Sequence, residues 1–172
     1  ASTATGDGLA LSNAYVSTVV RCAPPDNKPT TTERDRCIRY LVRELELLPN
    51  IRAVVALGGF AWDGLLIAAG KLGHAVGKPR PKFGHEATAT IGPWQLVGSY
   101  HVSQQNTFTG RLTEPMLDAV FSRAAELAGH VAHHQALLVV GAPTRCRRSH
   151  TPCCRRARSA TRARESCPRR CR

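Results

Sequence analysis

The sequence predicts an α/β fold built on a parallel sheet with helices packed against it. Three observations carry that expectation. Arg52–Leu57 (RAVVAL) is a short unbroken apolar run, the pattern of a strand buried on both faces. Gly58-Gly59 turns the chain directly into a helix-like segment. Strand-like and helix-like segments then alternate regularly, as βαβ units require.

Each element has a local reason. Residues 1–9 are small and Gly-rich and read as loop. Leu11 to Val20 (LSNAYVSTVV) is rich in β-branched residues and reads as a strand. It runs into Arg21-Cys22 and then Pro24, Pro25 and Pro29, which exclude helix and central strand and make a stiff loop. Thr30 and Glu33 have the spacing of a capping box, so a helix should follow to about Leu48. Ile38, Leu41, Val42, Leu45 and Leu48 form its apolar stripe, and Pro49 closes it. After the strand at 52–57, Phe60 to Gly70 reads as a helix. The Gly-Gly turn resembles a phosphate-binding βα turn, but it has neither GxGxxG nor a Walker lysine. Tight helix–strand packing is the expected reason for the two glycines.

Residues 71–92 read as loop, with a small basic cluster, KPRPKFGH, at 78–85. Ile91 to Ser99 reads as the next strand. Tyr100 to Leu112 (YHVSQQNTFTGRL) is a polar loop at the end of that strand, where α/β proteins carry their chemistry. Glu114 to Ala128 is a second amphipathic helix, with Leu117, Val120, Phe121, Ala124 and Leu127 on one stripe and Pro115 in the first turn. The expected domain is 1–128. Residues 129–172 read as linker and disordered tail, with Leu137–Val140 a short apolar run without a partner. His130, His133 and His134 read as a solvated cluster rather than a metal site.

Charge and cysteine are distributed unevenly. The chain of 172 residues has a net charge of +12, yet Thr144–Arg172 alone holds eleven arginines and one acid. The remaining 143 residues carry 13 basic and 11 acidic side chains. A body that near neutrality does not by itself indicate a nucleic-acid partner. Cys22 and Cys37 lie in the body; Cys146, Cys153, Cys154, Cys167 and Cys171 lie in the tail. That clustering argues against a secreted disulfide framework. No apolar run approaches the roughly 20 residues of a membrane span, and the first residues have no signal-peptide pattern. A cytoplasmic monomer is the expectation. Cys22 and Cys37 form at most half a metal site, because zinc or an iron–sulfur cluster needs four ligands.

Four stretches in order, GDGLALSNAYVSTVVRCAPPDNKPTTTERDRC, RAVVALGGFAWD, PKFGH and SYHVSQQNTFTGRLTEPML, resemble family 5 (type B) uracil-DNA glycosylases. The resemblance covers about Gly6 to Ala128. It implies a three-layer fold with a central parallel four-stranded sheet, its first strand missing from this chain. It implies a [4Fe–4S] cluster, with Cys22 and Cys37 as two of its four ligands. It implies uracil-containing DNA as the partner and N-glycosidic hydrolysis as the reaction. Asn27, His101 and Asn106 match the family's catalytic positions. Ser103, Gln104, Gln105 and Arg111 are the candidates for contact with the base or the DNA, together with Phe108. The family's Gly-rich, aspartate-bearing segment has no counterpart here, and Asp7 does not match it. The expectation is a truncated domain of impaired catalysis, lacking its general base. The competing readings are a non-catalytic DNA-binding remnant driven by the Arg-rich tail and a zinc-binding structural protein.

Overall fold

A computed structural model describes residues 11–21, 28–129 and 136–141. Five strands form one sheet in the order β1-β5-β2-β4-β3. These are β1 (Ala14–Thr18), β2 (Ile51–Leu57), β3 (Thr88–Ile91), β4 (Trp94–Ser99) and β5 (Ala136–Gly141). The four strands β1, β5, β2 and β4 run parallel, and β3 pairs antiparallel with β4 at the edge. Four helices complete the fold: α1 (Thr31–Leu47), α2 (Gly59–Lys71), α3 (Gln104–Phe108) and α4 (Glu114–Ala128).

The sheet is the middle of three layers. Successive side chains of a strand point to opposite faces. On β2, Val54 and Ala56 join Leu138 and Val140 of β5 under α1 and α2. Ala53 and Val55 face the other way, with Val97, Val139 and the α4 residues Val120 and Ala124. This two-sided burial is what made β2 an unbroken apolar run. Trp62 of α2, 1 % exposed, is the largest fully buried side chain.

The helix termini follow local chemistry. Thr30 caps α1: its Oγ1 accepts from Glu33 N–H (3.2 Å), and the Glu33 carboxylate accepts from Thr30 N–H (2.8 Å). Pro115 occupies the first turn of α4, where its missing N–H costs nothing.

Four expectations need correcting. The domain does not end at residue 128, because β5 lies between β1 and β2 and is hydrogen-bonded to both. The run at Leu137–Val140 has partners after all, but they are Ala14–Thr18 and Ile51–Leu57, far away in the chain. The strand expected from Ile91 is a hairpin, β3 and β4, turned at Gly92-Pro93. The polar loop 100–112 contains the short helix α3. The histidine cluster at 130–134 and the Arg-rich tail lie outside the described residues, as do Cys22 and Asn27.

An ion-paired network ties β1 to α1. The Glu44 carboxylate accepts from Tyr15 Oη (3.0 Å) and from the hydroxyl of buried Ser17, and it pairs with Arg21. Burial works to raise the Glu44 carboxyl. Hydrogen bonds from Arg21, Ser17 and Tyr15, with the Arg21 charge, outweigh burial and hold it below the ordinary carboxylate range. Burial, followed by the bond to Glu44, pushes the Tyr15 phenol up.

Glu44→Gln is expected to cost about 1–3 kcal/mol at neutral pH, the usual loss for charge-assisted hydrogen bonds. Because the folded-state pKa is depressed, the wild-type advantage is present above the ordinary carboxylate range and is lost as pH falls through the depressed value. Denaturant unfolding of both proteins across that range checks this, and curves that fail to converge in acid would contradict it.

Candidate active site

The parallel strands β1, β5, β2 and β4 all end at the same edge of the sheet. In open α/β sheets the crevice beyond the carboxyl ends is where ligands bind. Leu57 stands beside Ser99 in the parallel register of β2 and β4. The two strands therefore deliver Gly58-Gly59 and Tyr100-His101 side by side. Gly58 N–H donates to Ser99 C=O at 2.7 Å, extending the ladder past both strands.

Gly58 explains why no side chain is tolerated there. Its φ is +97°, a region that L-residues avoid. A Cβ at Gly58 would lie 3.2 Å from His101 Cβ. The closest neighbour of this glycine is thus His101. The expected explanation, helix–strand packing, is secondary. Gly59 faces Phe83, whose ring a Cβ would meet at 3.4 Å. Phe83 stands edge-on to Trp62 (6.1 Å between centroids, 68°), and Trp62 Nε1 donates to Pro81 C=O at 3.0 Å. The segment at 78–85 is therefore docked on α2, and Arg80 is ion-paired with Asp63.

His101 is half-buried and held through its backbone. Its carbonyl accepts from Ser103 N–H (2.9 Å) and from Asn106 Nδ2 (2.8 Å). Ser103 caps α3, its Oγ accepting Asn106 N–H at 3.3 Å, and Asn106 C=O accepts Leu112 N–H at 2.9 Å. Asn106 is thus the brace of the whole turn. Gln104 and Gln105 are exposed on the first turn of α3, and Phe108 at its end is 83 % exposed. The Arg111 guanidinium lies over the Tyr100 ring at 4.7 Å.

The structure brings His101, Ser103 and Asn106 into one braced turn, with Arg111 stacked on Tyr100 beside it. Asn27 lies outside the described residues. Sequence reasoning missed Phe83 and Tyr100 as parts of this edge. It also missed His85, whose ring stacks on Tyr100 (4.9 Å, 15°). Phe83 and His85 lie in the quoted PKFGH stretch and Tyr100 in SYHVSQQNTFTGRLTEPML, which carried the resemblance without singling these three out.

The metal question rests on Cys37, which is half-buried and unbridged in α1. Among the described residues no three His, Cys, Asp or Glu side chains gather as a metal set. One thiol does not fit a four-thiolate cluster.

A family model for the uracil DNA glycosylase superfamily matches residues 2–125. The chain belongs to that superfamily. A type-5 uracil-DNA glycosylase of Mycobacterium bovis is 50 % identical over 125 residues, covering 72 % of this chain and 45 % of the relative. One from Thermus thermophilus is 46 % identical over 125 residues, covering 72 % and 55 %. A type-4 uracil-DNA glycosylase of Archaeoglobus fulgidus is 45 % identical over 56 residues, 31 % of this chain and 27 % of the relative. The chain spans about half the length of the type-5 relatives it matches.

Gly58→Ala is expected to cost about 1–3 kcal/mol, the usual range for a side chain forced into a disfavoured backbone region. It should also displace His101, seen as altered ring signals in NMR spectra. Wild-type stability with unmoved His101 signals would contradict the close approach.

Proposed function

We propose that this domain binds a uracil flipped out of DNA at the carboxyl edge of its sheet, for N-glycosidic cleavage in base-excision repair. The observation that carries the reading is the coincidence of two things. The stretches matching type-5 glycosylases include the His101 turn. That turn lies at the ligand-binding edge of a parallel sheet.

The chemistry needs a donor for a departing anion. Cleaving the N-glycosidic bond sends the bonding electrons onto the base, and the charge collects on its carbonyl oxygens. A donor held at that oxygen in a dry site stabilises the charge without reorganising at the moment of reaction. His101 is the residue assigned to that role, with Asn27 as a second contact to the base. Asn106 serves by bracing the turn. The base must first leave the stack. Phe108 is a large apolar ring left outside the core, and it fits the role of filling the vacated stack. Gln104, Gln105, Ser103 and Arg111 are assigned to the nucleotide and its backbone.

No residue of this chain is assigned to direct the attacking water. The expected behaviour is uracil-selective binding. Cys22 and Cys37 are proposed as two thiolates of a [4Fe–4S] cluster. Two thiolates do not complete one, and no step of the reaction is drawn through it. A monomer acting in the cytoplasm accompanies this reading; among the described residues no helix is long and apolar enough to cross a membrane.

A second reading has its own observation: eleven arginines between Thr144 and Arg172. A basic segment of that density supplies sequence-independent attraction to phosphate.

Affinity for a U·G duplex against a C·G duplex separates the two. The wild-type chain is expected to prefer uracil. His101→Ala should erase the preference with little change in unfolding midpoint, and should lower any residual uracil release by about 100-fold, the usual effect of losing one such donor. Affinity that vanishes on deleting 144–172 and ignores His101→Ala would favour the second reading instead. Phe108→Ala is expected to weaken duplex binding by about 1–3 kcal/mol, the range for one lost base-stacking contact. It should do so without destabilising the fold, because that ring is exposed.

A further inference from the structure

We propose that His85 is a positioning residue for His101, acting through the backbone N–H of Tyr100. It belongs to none of the matched catalytic positions.

The geometry builds up in three steps. The segment around His85, Gly84 to Ala87, lies flush on the end of β4. Glu86 N–H donates to Gly98 C=O and Gly98 N–H donates to Ala87 C=O, both at 2.8 Å. A Cβ at Gly98 would stand 2.3 Å from the Gly84 carbonyl oxygen, so only glycine allows this approach. Two residues further along β4's path, Tyr100 N–H donates to His85 Nδ1 at 3.3 Å. The next residue is His101.

The side chain of His85 is committed to that bond. Because Nδ1 accepts, it carries no proton, and the neutral ring carries its hydrogen on Nε2. Nε2 is buried and makes no hydrogen bond. The Glu86 carboxylate is its near charge, at 3.9 Å, too far for a hydrogen bond. The His85 side chain is 10 % exposed, and its ring is stacked flat on Tyr100. A buried donor left unpaired is unfavourable. An apolar side chain of similar shape would avoid that cost, so the acceptor at Nδ1 is the feature that accounts for a histidine here. Tyr100 is thereby fixed on one side by His85 and covered on the other by Arg111. His101 is then bounded three ways. Tyr100 holds it from before, Asn106 and Ser103 hold its carbonyl from after, and Gly58 faces it from β2.

The test compares two variants of the full chain. Asn presents an acceptor at the δ position, where His85 Nδ1 sits; Gln carries its amide one carbon further out. His85→Gln is expected to raise hydrogen exchange at the Tyr100 amide about tenfold or more, as an opened local hydrogen bond does. It should also shift the His101 ring signals. His85→Asn is expected to restore both to near the wild-type values.

The consequence for function rests on the uracil-binding reading. His85→Gln should lower the preference for a U·G over a C·G duplex by about tenfold, the scale of a slightly misplaced group. His85→Asn should recover it. If the wild-type chain shows no uracil preference while the exchange and ring signals behave as stated, the functional reading fails and the positioning role stands. The positioning role is overturned if His85→Gln leaves Tyr100 exchange and His101 signals unchanged. It is equally overturned if His85→Asn unfolds or behaves like His85→Gln. Should His85→Gln unfold, His85→Asn decides alone, by keeping or losing the slow exchange of Tyr100.

Discussion

Everything at the candidate site depends on the parallel register of β2 and β4. Leu57 beside Ser99 fixes which residues emerge together at the carboxyl edge. A slip of one residue would turn both sets of side chains to the wrong layer. The register is held because β2 is buried on both faces and takes part in both halves of the core. Gly58 then closes the gap that any side chain would hold open, and His101 comes within contact of the β2 turn. A polar, exposed loop thus inherits its precision from the most apolar part of the chain.

Elements with local signals were legible in the sequence. Thr30 and Glu33 announce α1 because a capping box needs only residues three apart. Val54 and Val55 announce β2 because burial on both faces leaves no alternation. β5 was not legible, since Leu137–Val140 is too short to declare itself and its partners are remote in sequence. α3 was hidden for the opposite reason: it buries no residue and so has no apolar period. At the site, His101 and Asn106 were visible through the quoted motifs. The bracing by Asn106, the facing of Gly58 and His101, and the bond from Tyr100 to His85 were not. Each involves a main-chain atom, and main-chain atoms are the same in every residue.

Two features of composition sit differently once the fold is known. The charge that makes the chain basic lies almost wholly beyond Gly141, while five arginines of the described body are held in ion pairs. Arg21 is pinned by Glu44, Arg80 by Asp63, and Arg111 lies on Tyr100. The Arg21–Glu44 pair also joins the end of β1, next to Cys22, to the helix that carries Cys37.

The central claim is that the edge formed by Gly58, Gly59 and the His101 turn receives uracil. Backbone amide signals of the full chain, followed while a uracil-containing oligonucleotide and its thymine counterpart are added in turn, test this most directly. The account predicts shifts at Gly58, Gly59, Phe83 and residues 100–106 that uracil produces and thymine does not. Shifts confined to residues 144–172, or the same for both oligonucleotides, would contradict it.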